Sequence, residues 1–247
     1  MKSNMDYLLE ICAFNLPSAM IAQQAGADRI ELCASPEEGG VTPSPGVIRL
    51  AREKLRIALY PIIRPRGGDF LYSEEEFRVM LRDIEYCKQV GCNGVVIGML
   101  SPDGSVDQAR CARLVETAYP LGVTFHRAFD WAANPFEALE TIIQMGCERI
   151  LTSGQRPTAD EGAGLIDQLV READDRIVIM PGSGVRSANI VALAEKTGAS
   201  EFHTSARLWQ ASSMEYVNAC MKEAQDMVMA GEEEIRKIKE RLLSLES

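Results

Sequence analysis

Short apolar runs alternate with longer amphipathic segments along nearly the whole chain, and this alternation limits the possible folds more than any other feature. The predicted strands are Leu8–Cys12, Arg29–Cys33, Ala58–Ile63, Gly94–Ile97, Val123–His126, Arg149–Thr152, Ile177–Met180 and Glu201–Thr204. Helical patterns separate them, as in Ser18–Ala25, Glu74–Val90, Asp107–Tyr119, Pro135–Met145 and Asn189–Thr197. Strands that alternate with helices predict βαβ units and a parallel sheet.

Eight such units favour a closed barrel, because an open doubly wound sheet usually has five or six strands. A glycine of the kind that ends a helix precedes four of the strands, at Gly26, Gly91, Gly146 and Gly198. The 247 residues match the length of one barrel. We predict an α/β fold, a (β/α)8 TIM-type barrel forming a single domain with a C-terminal helical tail. The barrel covers residues 1–210, and a helical extension over 211–247 packs on or beside it.

Charge and cysteine content narrow the class of protein. The net charge of −10 argues against broad binding to nucleic acid or to an anionic membrane. Glu10 interrupts the first apolar run, so the sequence offers no signal-peptide core. The seven cysteines are odd in number and form no CxxC pair. We therefore expect free thiols, a cytoplasmic location, and neither a nucleic acid nor a membrane as partner.

The first two strands end in the same pattern, Glu10-Ile11-Cys12 and Glu31-Leu32-Cys33. Side chains alternate along a strand, so the glutamate and cysteine of each pair share the face inside the barrel. Neighbouring strands lie ~4.8 Å apart, which brings Cys12 and Cys33 within reach of each other. Two thiolates suit a soft ion such as Cu(I) or Zn²⁺, although buried cysteines also serve as small core residues.

Two arginines follow the third strand, Arg64 and Arg66, on either side of a proline. They form a cationic edge that suits a carboxylate or a phosphate. The alternative is that Arg64 neutralises Glu10 or Glu31, since a buried carboxylate needs a partner. Both roles are compatible with the sequence.

Both histidines lie at predicted strand ends, His126 on the fifth strand and His203 on the eighth. His126 is a candidate acid/base group together with Glu10 or Glu31, or a structural residue. Turns after the last two strands resemble the phosphate site of many barrel enzymes. The candidate anion-binding residues there are Gly182, Ser183, Gly184, His203 and Ser205. The alternative is a tight turn that needs glycine for its backbone angles alone.

At these residues the sequence resembles the CutC family of copper homeostasis proteins. The matching segments lie between residues 8 and 210: Leu9-Glu10-Ile11-Cys12, Gly26-Ala27-Asp28-Arg29-Ile30-Glu31-Leu32-Cys33, Glu38-Gly39-Gly40-Val41-Thr42-Pro43-Ser44, Ile63-Arg64-Pro65-Arg66-Gly67-Gly68-Asp69-Phe70, Val123-Thr124-Phe125-His126-Arg127-Ala128-Phe129-Asp130, Leu151-Thr152-Ser153-Gly154 and Glu201-Phe202-His203. The resemblance implies a TIM-type barrel, a cytoplasmic homodimer and a link to copper. It also implies that Cu(I) binds the thiols of Cys12 and Cys33.

Two functions follow from these residues. One is a copper homeostasis protein that binds Cu(I) between the strand-end cysteines. The other is an enzyme acting on a small anionic or phosphorylated substrate, with Glu10 or Glu31 and His126 as acid/base groups and the arginines and turns as anion ligands. The partner is accordingly a copper ion or a small anion.

Overall fold

The computed structural model describes residues 6–222 and 224–245. Eight parallel strands, β1 to β8, span Leu8–Ala13, Arg29–Leu32, Ala58–Pro61, Gly94–Ile97, Gly122–Phe125, Arg149–Thr152, Val178–Pro181 and Glu201–Thr204. Helices α1 to α7 follow the first seven strands in turn and span Leu16–Gln24, Pro45–Lys54, Glu74–Gln89, Gln108–Ala118, Pro135–Met145, Ala159–Ala173 and Ile190–Thr197. This strict alternation matches the sequence pattern.

The strands form the wall of a TIM-type barrel. They pair in the orders β3-β2-β1-β8 and β4-β5-β6-β7, all in parallel. A parallel bridge between Ile62 and Val96 joins the two groups at β3 and β4, and β7 lies against β8. The predicted fold class is confirmed. The carboxyl ends of the strands therefore open on one face, where barrel enzymes place their sites.

Both faces of the strands are buried, one against the helices and the other inside the barrel. In β1, Leu9 and Ile11 pack outward into the large core between strands and helices. Cys12 points inward, into a second cluster that includes Cys33 and Tyr60. The predicted alternation along the strand is therefore correct. Because the inward positions also carry charged residues, the barrel interior holds a polar network.

Local signals set the helix ends. Ser73 accepts a hydrogen bond from the Glu76 backbone N–H, while the Glu76 carboxylate accepts from Ser73 N, which completes a capping box at the start of α3. Gly146 and Gly198 end α5 and α7 with φ of 84° and 66°. These angles favour glycine, so the predicted stop signals are confirmed at both positions.

The C-terminal region is less helical than the expected extension over 211–247. Strands β9 (Arg207–Gln210) and β10 (Met227–Ala230) form an antiparallel pair, and helix occurs only in α8, Glu232–Leu243. The expectation of helix over 211–247 is wrong for the described residues before α8, which form β10 and irregular structure. Helix α8 packs against α1 and α7, so it occupies the eighth position of the outer ring. The domain boundary at residue 210 stays a prediction.

Contacts from residues just before α1 and α7 hold this C-terminal region. Asn15 Nδ2 donates to the Val228 carbonyl at 2.9 Å, and Ser187 donates from N and Oγ to the Glu234 carboxylate at 2.7 and 2.9 Å. Within the described part of the chain, no helix is long and apolar enough to cross a membrane.

Candidate functional site

A cavity of about 870 Å³ opens at the carboxyl ends of the strands. Its lining comes from nearly every strand end and includes both histidines. Among the predicted site residues it contains Cys12, Glu31, Arg64, His126, Ser183, Gly184, His203 and Ser205. A concave, largely apolar pocket with a few convergent polar groups is the usual form of a small-ligand site.

The floor of the cavity brings the two predicted cysteines together. Cys12 Sγ lies 3.5 Å from Cys33 Sγ, at the ends of the adjacent strands β1 and β2. A carboxylate oxygen of Glu31 completes a group in which all three ligand atoms lie within 4.8 Å of one another. All three residues are buried, and Cys12 is the cysteine that reaches the cavity.

His203 stands between the two glutamates of the paired strand ends. Its Nδ1 donates to Glu10 Oε1 at 2.7 Å, and its Nε2 lies 3.7 Å from Glu31 Oε2. Arg29 Nε donates to the other oxygen of Glu10 at 2.5 Å. The sequence indicated His203 only as an anion ligand, whereas its nearest partners are carboxylates.

These contacts separate the pKa values of the two glutamates. Burial opposes ionisation of Glu10, but the charge of Arg29 and the hydrogen bond from His203 outweigh it and lower the pKa of Glu10 to about 2. Burial and the neighbouring Cys12 sulfur raise the pKa of Glu31 well above its usual value. Glu10 is thus a fixed anion and Glu31 is the one able to hold a proton.

The same contacts separate the two cysteines. The hydrogen bond with Cys33 lowers the pKa of Cys12 to about 6 against the effect of burial, and His203 adds to the lowering. Burial and that same hydrogen bond raise the pKa of Cys33. Burial alone would lower the pKa of His203, but its hydrogen bonds to Cys12 and Glu10 raise it well above the ordinary value. The pair therefore carries one negative charge beside an imidazolium.

Below this floor lies a charge network that the sequence analysis missed. Arg29 Nη2 donates to Glu201 Oε2 at 2.5 Å, and Arg149 Nε donates to the same oxygen at 3.1 Å. Both guanidinium groups lie about 5.5 Å from the centre of the Tyr60 ring. The available signal was a charged first residue in each of three buried strands, β2, β6 and β8.

Arg64 does not neutralise either glutamate, and that alternative is wrong. Its Nη1 donates to the carbonyls of Glu38 and Gly40 at 2.6 and 2.8 Å, and its Nη2 donates to the Gly68 carbonyl at 2.8 Å. Arg29 takes the expected role toward Glu10 instead, because it is the residue paired with Glu10 across β1 and β2. Arg64 lies at the cavity wall and ties two loops together.

Arg66 points away from the cavity. Its guanidinium contacts Glu76 at 2.6 Å and Asp69 at 2.9 Å, and it also donates to the Leu71 carbonyl at 2.8 Å. It is absent from the residues that line the cavity. The prediction that Arg66 binds a ligand anion therefore lacks support from the geometry, because nearby carboxylates already occupy the side chain.

His126 lines the cavity from the end of β5 and is almost fully buried. Its Nδ1 accepts a hydrogen bond from Ala128 N at 3.1 Å, and its Nε2 has no partner among the described residues. Burial, with repulsion from Arg64, lowers the pKa of His126 to about 3. His126 is thus a neutral imidazole. It does not belong to the group formed by His203 and the two glutamates.

The turns after β7 and β8 form the opposite wall. Ser183 and Gly184 have φ of 74° and 76°, and a Cβ at Gly182 would lie 2.5 Å from Leu151. Ser183, Gly184 and Ser205 line the cavity, whereas Gly182 only backs it. Arg186 and Arg207 also line it, and no carboxylate among the described residues pairs with either guanidinium. Sequence reasoning did not select these two arginines.

Comparison with known proteins identifies the family of this chain. The model of the CutC family matches residues 7–208. The chain belongs to the CutC family. A CutC-family protein from Chromobacterium violaceum is 53% identical over 212 residues, which cover 86% of each chain. The human protein named copper homeostasis protein cutC homolog is 46% identical over 213 residues, covering 86% of this chain and 78% of that one.

A solved CutC structure has the same fold. The protein from Streptococcus agalactiae superposes with a TM-score of 0.77 at 32% identity, over 81% of this chain and 98% of that one. The segments that carry the CutC resemblance also build the cavity. The loop around Arg64 forms one wall, and Asp130 after β5 accepts from Thr152 Oγ1 at 2.5 Å and from Ser153 N at 3.0 Å, which organises the end of β6.

Proposed function

We propose that this CutC-family protein binds Cu(I) through Cys12 and Cys33 and serves copper homeostasis in the cytoplasm. The observation that carries the proposal is the 3.5 Å separation of the two sulfurs at the floor of an open cavity. Cu(I) is a soft ion that prefers thiolate ligands. In this proposal copper is the ion that the protein carries, and it is not a resident cofactor.

The surrounding groups fit a soft cation. Cys12 and Cys33 would supply the thiolates, and Glu31 is close enough to supply a third ligand or to accept a proton. Metal binding requires deprotonated thiols, so loading releases the proton that Cys33 retains. The other buried cysteines, Cys87, Cys92, Cys111 and Cys147, lie outside the cavity lining. Among the described cysteines only Cys12 lines the cavity, so copper would enter at Cys12 and reach Cys33 behind it.

X-ray absorption of the copper-loaded protein tests the ligand set. We expect two sulfur neighbours in the wild type and one in Cys33→Ser. Cys111→Ser is the matched control, because Cys111 is equally buried but donates to the Met99 carbonyl on the helix side of the barrel. Unchanged sulfur coordination in Cys33→Ser would place the metal elsewhere.

A second function is favoured by the size of the cavity. A volume of about 870 Å³ far exceeds the space of a two-thiolate site, and it falls in the range of small-molecule pockets. Arg186 and Arg207, which pair with no carboxylate of the described residues, supply positive charge beside the Ser183–Gly184 turn, which suits a phosphate or another small anion. Glu31, whose pKa is raised, and His203 are the acid/base groups in reach. We propose this alternative as an enzyme acting on a small anionic or phosphorylated substrate.

Thermal stability in the presence of inorganic phosphate tests this second function, because a ligand that binds only the folded state raises the Tm. Arg186→Gln should remove the increase. Arg236→Gln is the control, since Arg236 pairs with Glu232 on the exposed face of α8. No increase in the wild type would argue against the anion site.

The oligomeric state is part of the proposal. We propose a homodimer in which the region after β8 forms contacts between copies. Large apolar side chains are exposed there, and Trp209 is 61% exposed. Analytical ultracentrifugation should give a dimer that Trp209→Arg weakens and that Leu243→Arg, on the exposed side of α8, leaves intact. A monomeric wild type would contradict this part.

A further inference from the structure

Arg64 is a buried arginine whose charge no carboxylate of the described residues neutralises. The other buried arginines, Arg29 and Arg149, form ion pairs with Glu10, Glu201 and Glu148. Arg64 is equally buried, but its partners in the described chain are three backbone carbonyls. Since a buried charge is normally paired, the cavity wall has a place for an anion.

His126 supplies a second unused donor. Its Nδ1 accepts from Ala128 N, so the neutral ring carries its proton on Nε2. Burial and the nearby Arg64 charge favour this neutral form. The Nε2–H group is buried without a partner. A buried donor left unsatisfied is costly, and a ligand acceptor would offset that cost.

The two donors belong to one corner of the cavity. Within the described ranges, three buried side-chain polar atoms lack a hydrogen-bond partner, and two of them are Arg64 Nε and His126 Nε2. Both residues line the cavity, and both pack on Phe70. The Phe70 ring centre lies 5.0 Å from the His126 ring centre and 5.0 Å from Arg64 Cζ.

We propose that Arg64 and His126 form a carboxylate-binding site. The guanidinium supplies the positive charge, and the His126 Nε2–H donates to a carboxylate oxygen. Their atoms are closed off from solvent, so the ligand reaches them by displacing Phe70, a partly exposed residue of the loop after β3. Glu38 and Asp69 also line this region, but Asp69 pairs with Arg66, and Glu38 lies against Gly67 beyond ion-pair distance from Arg64.

This inference rests on the second proposed function and defines its substrate class. The substrate would carry a carboxylate at the Arg64–His126 end of the cavity and a further anionic group at the Arg186–Arg207 end. His126 then acts as a hydrogen-bond donor to the substrate. In this arrangement it is not the base of the acid/base pair that the sequence analysis suggested, because its proton-free nitrogen already accepts from Ala128 N.

Nitrogen-15 NMR of the histidine rings tests the site directly, because the chain has only two histidines. In the wild type at neutral pH we expect His126 as the neutral tautomer protonated at Nε2. Acetate and oxalate should shift the His126 Nε2–H signal, and neutral acetamide should shift it far less. A His126 signal that reports a proton on Nδ1, or one that neither carboxylate shifts, would overturn the proposal.

A matched pair of variants separates the effect of the hydrogen bond that His126 donates from the effect of its side-chain volume. His126→Gln keeps an N–H donor near the position of Nε2, and His126→Leu fills similar space without one. Because a hydrogen bond to a charged group contributes about 1.5–3 kcal/mol, acetate affinity should fall about tenfold or more in the leucine variant and be largely retained in the glutamine variant. Equal affinity in both variants would exclude His126 as the donor.

The Arg186→Gln variant separates a failure of the Arg64–His126 carboxylate site from a failure of the second proposed function. If inorganic phosphate binds through Arg186 and shifts only His203, while acetate and oxalate leave His126 unchanged, the anion-binding function stands and the carboxylate site is rejected. If none of these anions binds the wild type, both are rejected. Shifts of His126 that persist in Arg186→Gln support a separate carboxylate site.

Discussion

His203 donates from Nδ1 to Glu10 Oε1 at 2.7 Å and so joins the last strand of the barrel to the first. The other oxygen of Glu10 accepts from Arg29, which in turn reaches Glu201 at the start of β8. The cavity floor is therefore continuous with an ion-pair network in the barrel core. A change in either part should affect the other.

Replacing Glu10 with glutamine tests this continuity. The variant keeps the size of the side chain but leaves Arg29 and His203 short of one negative charge in a buried setting. Breaking a buried pair typically costs about 3–5 kcal/mol, and we expect a loss near the lower value in the free energy of unfolding by urea. Glu232→Gln, in an exposed pair on α8, should change it by less than about 1 kcal/mol. A loss no larger than that of the control would show that the network contributes little.

Gly98 controls the position of the His126 ring. A Cβ at residue 98 would lie 2.4 Å from His126 Cε1 and Nδ1, so Gly98→Ala must displace the ring from its bond with Ala128. We expect destabilisation of about 1–3 kcal/mol and a changed His126 NMR signal. Gly164→Ala is the control, because Gly164 lies in α6 with open space around its Cβ, and this change should be neutral or stabilising. Equal effects in the two variants would contradict the tight packing.

The neutral state of His126 should appear in the pH dependence of stability. Between pH 6.5, the ordinary pKa, and about 3, its pKa in the folded protein, the unfolded chain binds a proton that the folded protein does not. Stability therefore falls as the pH falls through this window, by up to about 1.4 kcal/mol per pH unit for this group. His126→Gln should remove that part of the slope. Comparing variant with wild type cancels the other titrating groups, and parallel profiles would contradict a neutral buried His126.

Much of the fold could be predicted because the strands and helices carry strong local signals. The alternation of apolar runs with helical periodicity indicated eight strands, and the glycines at Gly146 and Gly198 marked helix ends. The region from Arg207 to Ala230 could not be predicted in the same way. Its strands pair with each other across a long connection, and such a pairing leaves no short-range signal.

The parts of the candidate site whose positions are determined by strand register could be predicted. Cys12 and Cys33 lie at adjacent strand ends, so the alternation of side chains was enough to place them together. The partners of Arg64 and Arg66 were not predictable, because loop geometry determines which carbonyls and carboxylates they meet. The contact of His203 with Glu10 follows from the register of β8 against β1, which the sequence analysis did not work out.

Anaerobic titration with Cu(I) against a competing chelator tests the central claim most directly. The wild type and Cys111→Ser should bind one equivalent tightly, and Cys12→Ser/Cys33→Ser should lose that binding, because the two thiols lie 3.5 Å apart and Cys12 opens on the cavity. Retention of one tight equivalent in the double variant, or weak binding by the wild type, would contradict a copper site at these cysteines.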